Sequence, residues 1–243
     1  MEEEMNKGYI YLDYAANTPV DKEVLDTFNE TTLKYFANPN STHSLGVETN
    51  KRIEEETNNI MKMFQTKANL NDDMEIIYTS GSSEANNLAL KGVAYKNKEK
   101  GNHIITTKIE HPAILHTCQT LQRQGFDVTY LNVDENGFIS LTELENAIND
   151  KTILISVMFA NNEIGTIEPI SKIGKIAKKH NVLFHTDSVQ AIGNVRIDVD
   201  ELNIDLLSMS AHKFYGPKGV GALYVREGVE FERIQDGGHQ ERD

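Results

Sequence analysis

The segment "SMSAHKFYGPKGVGALYV" (208–225) sets Lys213 directly after His212, between two apolar runs and just ahead of a turn rich in Gly and Pro. A lysine there is either solvated in the turn or, once desolvated, an amine able to attack a carbonyl. Polar residues recur at comparable places along the chain. "EIIYT" (75–79) runs into "SGSSEANN", where Gly81, Ser82 and Ser83 open a helix. Free N–H groups at such a start suit a phosphate, and a serine cap is the plainer alternative. "HIITT" (103–107) leads to His111 beside Pro112, a helix cap or a flat imidazole open to a ligand. "TILISVM" (152–158) leads to Asn161, Asn162 and Glu163; turn chemistry explains asparagine, but less well three polar residues at one edge. "VLFHTD" (182–187) ends on Asp187, with Gln190 three residues on. A carboxylate ending a buried strand needs a cation or donors, unless it merely caps the next short helix. "IDLLSMS" (204–210) ends on Ser210, just before His212 and Lys213.

As a set these residues supply a phosphate cradle, an imidazole, an amide, a carboxylate and a lysine. That set matches the needs of pyridoxal 5′-phosphate. Lysine provides the amine for a Schiff base, a carboxylate favours the protonated pyridine nitrogen, and an imidazole can stack on the ring.

Such residues can meet only if the strands share one sheet. The apolar runs alternate with helical patterns: one after Gly81 through "EANNLALKGVAY", one from Pro112, one in "SLTELENAI" with Ser140 and Glu143 as a capping box, and one in "ISKIGKIAKKHN". This alternation predicts an α/β fold with a mainly parallel sheet flanked by helices. Continuous apolar strands fit a sheet covered on both faces, and ligands in such folds sit beyond the carboxyl ends of the strands.

Composition narrows the partners. The chain has 243 residues, 39% hydrophobic and 25% charged, enough for one sizeable core. A net charge of −13 argues against a nucleic-acid or anionic-membrane surface, though not against a local pocket for a small anion. The start "MEEEMNKGY" lacks the order of a signal peptide, and "TILISVMFA" (152–160) is too short to span a bilayer. A single cysteine, Cys118, excludes an internal disulfide and a multi-cysteine metal site, so no metal is expected, and it points to a reducing cytoplasm. Ile114, Leu115, Cys118 and Leu121 fall on one helical stripe, which predicts a buried, inert thiol.

The ordered motifs "YLDYAANTP", "NPNSTHSLG", "TSGSSEANNLA", "EHPAILHTC", "NNEIG", "HTDSVQAIG", "SAHKFYGPKGVGALYV" and "GGHQER" resemble a bacterial cysteine desulfurase, of the class V aminotransferase group of fold type I pyridoxal-phosphate enzymes. The resemblance implies the seven-stranded-type large domain of that fold, with residues 1–15 leading in, residues 16–243 binding the cofactor and the small C-terminal domain absent. It implies Lys213 as the Schiff-base lysine and His111 as the stacking histidine that assists proton transfer. It implies Asp187 on the pyridine nitrogen, Gln190 on the ring hydroxyl and Asn162 beside the cofactor. Ser82, Ser83, Ser210 and His212 fall at phosphate contacts. "NPNSTHS" matches a loop near the substrate entrance, and Asn17 stands where relatives usually carry threonine. The family takes sulfur from L-cysteine onto a catalytic cysteine in a later part of the chain, leaves alanine, and feeds iron–sulfur cluster assembly or tRNA thiolation. A homodimer and a sulfur-acceptor or scaffold protein are the implied partners. Cys118 does not occupy the catalytic cysteine's place. Two other readings remain: a related class V enzyme (selenocysteine lyase or aminotransferase), and a non-catalytic paralogue acting as a binding or dimerisation module.

Overall fold

The computed structural model describes residues 10–64 and 76–238. Two helices come first, α1 (Lys22–Lys34) and α2 (Ser44–Met63). Then follow β1 (Ile76–Thr79), α3 (Ser82–Asn97), β2 (His103–Thr107), α4 (Pro112–Arg123), β3 (Asp127–Leu131), α5 (Leu141–Ala147), β4 (Thr152–Ser156), α6 (Ile170–Lys179), β5 (Leu183–Asp187), α7 (Val199–Leu202), β6 (Leu206–Ser210) and β7 (Gly221–Val225). The seven strands form one sheet in the order β1-β7-β6-β5-β4-β2-β3. The expected α/β architecture is present. β2–β6 pair in parallel, and β7 runs antiparallel to both neighbours, β1 and β6.

Successive strand residues face opposite sides of a sheet, so apolar pairs feed two cores. Ile104, Leu154, Leu206 and Leu223 pack under α3 and α4. Their neighbours Ile105, Ile155, Leu207 and Tyr224 join Phe184 in the opposite core, with Ile170, Ile173 and Ala177 of α6. Phe184 faces that second core, so by alternation His185 and Asp187 face α3. α3 is rich in alanine (Ala85, Ala89 and Ala94 are buried) and lies across β4–β7 as well as β1.

The helix starts follow the sequence signals. Ser140 accepts a hydrogen bond from the Glu143 N–H at 3.2 Å, as in a capping box. Pro112 occupies the first turn of α4. Cys118 is fully buried with Ile114 and Leu121, and burial pushes its thiol up to about 12. The strands stop earlier than "DVTYLNV" and "TILISVM" suggest. Asn132 and residues 157–158 already belong to loops and Val133 forms only an isolated bridge to Ile139, although Val157 and Met158 stay buried beneath the site. Part of "EIIYT" and of "GGHQER" lies outside the described residues.

α1 carries no buried residue, and Phe28, Leu33 and Phe36 are exposed there and just beyond. No described helix is long and apolar enough to cross a membrane.

Candidate active site

Strand polarity sends the parallel strands' carboxyl ends to one rim, and the polar residues gather there. Asp187 ends β5 at 7% exposure. Its Oδ2 accepts from Asn86 Nδ2 at 2.8 Å and its Oδ1 from the Val189 N–H at 3.1 Å. The turn-capping role is therefore real, but it uses one oxygen only. The amide of Asn86 reaches the other because α3 crosses directly over this strand end. Burial pushes the Asp187 carboxyl above its ordinary range, against the pull of these donors and of nearby His111 and Lys213. No ion pair to Asp187 occurs among the described residues, so a cationic ligand atom would relieve this burial.

Lys213 closes the short 3-10 helix Ala211–Lys213 that follows β6. Its Nζ donates to the Ala15 carbonyl at 2.5 Å, and Gln190 Nε2 donates to the same oxygen at 2.9 Å. Burial lowers the pKa of the lysine, with Asp187 and Asp13 opposing. A lowered pKa leaves more neutral amine, the nucleophilic form.

The N-terminal segment is tied to this turn. Thr18 donates from N and Oγ1 to the His212 carbonyl at 2.9 and 3.0 Å, and its Oγ1 accepts from the Tyr215 N–H at 2.7 Å. These bonds fix where Ala15 sits.

At the margin, α3 starts at Gly81, whose φ of +151° and ψ of 178° lie in a region that only glycine adopts readily. No side chain caps this helix. The serine-cap alternative therefore fails, and the first N–H groups of α3 remain open to an anion. Ser210 Oγ lies 2.9 Å from His212 Nδ1, and the two side chains share a hydrogen bond. Burial, then Lys213 and Lys218, lowers the pKa of His212. Gly221 lets β7 pass the glycine turn; a Cβ there would stand 2.5 Å from Gly81 Cα.

His111 is the N-cap of α4, its Nδ1 accepting from the Ala113 N–H at 3.1 Å. With Nδ1 engaged, the neutral ring carries its proton on Nε2. Both sequence alternatives for His111 thus coexist, since the capping ring also lines the central cavity.

That cavity encloses about 420 Å³. It is lined by Ser82, Ser83, His111, Asn162, Asp187, Gln190, His212 and Lys213, together with Asp13 and Ala15. An adjoining cavity of about 340 Å³ is lined by Ser82, Ser83, His212, Gly81, Ser210 and Lys218. The structure thus brings all the sequence-selected residues together, with Ser210 in the adjoining cavity beside the start of α3. Asn162 and Asn161 do different work. Asn162 Nδ2 bonds Glu163 Oε1 at 2.9 Å, while buried Asn161 accepts from the N–H groups of Glu163 and Ile164 and shapes the loop.

Sequence reasoning missed Asn86, Ala15, Thr18 and Lys218. Asn86 stood inside a quoted motif, but only the crossing of α3 over β5 shows its target. Ala15 acts through its carbonyl, which leaves no side-chain signal.

An open α/β sheet with a lysine, a buried carboxylate and an uncapped helix start at one rim defines the class of enzymes that hold a phosphorylated aldehyde cofactor. The chain belongs to the aminotransferase class-V family, which matches residues 10–243 and is a family of pyridoxal-phosphate enzymes. It is 57% identical over 238 residues to the cysteine desulfurase IscS of Clostridium botulinum (strain Kyoto / Type A2), covering 98% of this chain and 58% of that protein. The mitochondrial cysteine desulfurase of Saccharomyces cerevisiae is 50% identical, with 96% of this chain and 46% of that protein covered. Among solved structures, "SspA in complex with cysteine" superposes with a TM-score of 0.89 at 44% identity, covering 96% of this chain and 66% of that one. A "NifS-like protein" gives 0.90 at 41%, covering 96% and 63%. The chain thus spans a little over half the length of the Clostridium relative it matches.

Proposed function

We propose that this chain is the cofactor-binding part of a cysteine desulfurase. The reaction converts L-cysteine and an acceptor thiol into L-alanine and a persulfide on that thiol: the acceptor thiolate's electron pair forms the S–S bond, the C–S bond breaks with its pair staying on carbon, and carbon gains a proton in balance with the one the thiol gives up. The observation that carries the reading is that Lys213 and buried Asp187 line one cavity bordered by the uncapped start of α3.

Pyridoxal phosphate, when bound, supplies an aldehyde for amines and a pyridinium ring that withdraws electrons from the substrate Cα. Lys213 would hold that aldehyde. Asp187, oriented by Asn86, would hold the ring nitrogen in its protonated form. Gln190 would donate to the ring hydroxyl from where it now meets Ala15. The N–H groups and hydroxyls of Ser82 and Ser83, with Ser210 and His212, would take the phosphate. His111 would cover the ring, its Nε2 proton available as a donor, and Asn162 would border the substrate. Residues 16–243 form the cofactor-binding large domain, with residues 1–15 leading into it.

Cys118 does not serve as the acceptor thiol, because it is fully buried under α3 and burial holds its pKa near 12. The persulfide then forms on a thiol outside residues 1–243, in which Cys118 is the one cysteine. A homodimer, a sulfur-acceptor or scaffold protein and a cytoplasmic setting complete this reading, with iron–sulfur assembly or tRNA thiolation as the destination of the sulfur. The complex of one structural neighbour with cysteine, and the desulfurase names of the relatives, support L-cysteine over other amino acids.

The test is borohydride reduction of the chain incubated with pyridoxal phosphate, followed by peptide mass mapping. A pyridoxyl group on Lys213 is expected; one on another lysine, or none, overturns the assignment.

A further inference from the structure

Glu110 lies immediately before His111 and is 4% exposed, deep at the carboxyl end of the sheet. Its Oε1 accepts from Thr107 Oγ1 at 2.9 Å and from the Met158 N–H at 2.9 Å. Thr107 ends β2, and Met158 lies two residues beyond β4. One oxygen therefore clamps the two neighbouring strand ends that lead to His111 and to the Asn161–Asn162 loop. The second oxygen, Oε2, is buried with no hydrogen-bond partner among the described residues.

The charged groups around it are of the wrong sign to neutralise a carboxylate. Asp187 of β5 and Glu168, just before α6, both act on it as acids, and the Cys118 thiol of α4 feels its charge in turn. No Lys or Arg forms an ion pair with it among the described residues. A carboxylate buried beside other carboxyls and lacking a cation takes up a proton instead.

We propose that Glu110 is a positioning residue that works as a neutral carboxylic acid, fixing the His111 turn and the chain after β4 while leaving Asp187 as the carboxylate of the buried floor. The bridging oxygen needs lone pairs but no charge, and a second anion there would compete with Asp187 for any cationic ligand atom. Burial agrees with this, raising the group from 4.5 to about 8. The inference deepens the reading of the cofactor site and rests on it for the consequence for binding, though not for the protonation state.

Glu110→Gln keeps the accepting oxygen and the shape, whereas Glu110→Ala removes both. Three measurements on the full chain test the proposal. First, the infrared spectrum of the apo-protein at neutral pH should contain a protonated-carboxyl band that disappears in Glu110→Gln. Second, urea unfolding should show the unsubstituted chain losing stability relative to Glu110→Gln as pH rises from about 4.5 to about 8. The folded state holds a proton there that the unfolded chain has released. Third, the affinity for pyridoxal phosphate should stay within about two-fold in Glu110→Gln and fall at least ten-fold in Glu110→Ala. Absence of the band, a stability difference independent of pH, or a Gln variant as damaged as the Ala variant would overturn the proposal. If the first two results hold and the chain takes up no pyridoxal phosphate, the neutral acid stands and the cofactor reading of the site falls.

Discussion

Lys213 Nζ and Gln190 Nε2 donate to one oxygen, the carbonyl of Ala15, at 2.5 and 2.9 Å. One side chain follows β6 and the other follows β5, yet both converge on a single acceptor from the N-terminal segment. A carbonyl has two lone pairs, so the pair satisfies it fully. The same geometry means that a ligand claiming the Lys213 amine must take it from Ala15. Gln190 could keep its bond or transfer it to the ligand.

Asp187→Asn should leave the apo-protein close to its original stability and weaken pyridoxal phosphate binding about 10- to 100-fold, the worth of a charged hydrogen bond of about 1.5–3 kcal/mol. The carboxyl's pKa is raised by burial, so its contribution to stability is best at low pH and worsens as pH rises through the span between its unfolded and folded values. The Asn variant should lack that loss. Thermal melts of the apo-protein across pH, with a cofactor titration followed by absorbance, check both parts. An unchanged affinity would contradict the role given to Asp187.

His185 should act in the opposite direction. It is fully buried between Ser156 of β4 and Ser208 of β6, each 2.9 Å from one ring nitrogen, and burial pushes it down to about 3. Its depressed value means that the stability tied to the neutral ring is present above about 6.5 and lost as pH falls toward about 3, at most about 1.4 kcal/mol per pH unit. Urea unfolding of His185→Gln should give a flatter acid limb than the unsubstituted chain. Because Glu110 contributes the reverse slope over part of the same range, the comparison must be made variant by variant.

Gly221→Ala should destabilise the fold by about 1–3 kcal/mol or more through overpacking, because the new Cβ would meet backbone that cannot swing aside. The clash at 2.5 Å falls on Gly81 Cα, so the start of α3 should shift as well. Denaturant unfolding measures the first effect. Phosphate protection of the apo-protein against heat measures the second, and it should weaken more in this variant than in one equally destabilised elsewhere.

Residues 1–243 alone should not form alanine from L-cysteine at an enzymatic rate, since a positioned nucleophile is needed and the only thiol is buried. Cys118 should resist a thiol reagent in the native state and react after unfolding. Lys213-dependent alanine formation that survives Cys118→Ser would show that no thiol of this chain is required.

The sequence by itself determined the alternation of strands and helices, because apolar runs and helical stripes are local in the chain. It also singled out Lys213, His111, Asp187 and Gln190 as polar residues that follow apolar runs; each alone was a weak signal with a plainer reading available, and only the set and its resemblance to a known family gave them roles. Cys118 was legible for the converse reason, sitting on a helical stripe among aliphatic residues. Strand order, the antiparallel setting of β7 and the crossing of α3 over β5 came only with the tertiary structure, because they depend on contacts between residues far apart in sequence. That crossing turns Asn86 from an unremarked helix residue into the partner of Asp187. Ala15 could not be read from its side chain, because its role belongs to a backbone oxygen fixed by Thr18. The state of Glu110 was equally hidden: a glutamate beside a histidine looks solvated in sequence, and only burial without a cation makes it a neutral acid.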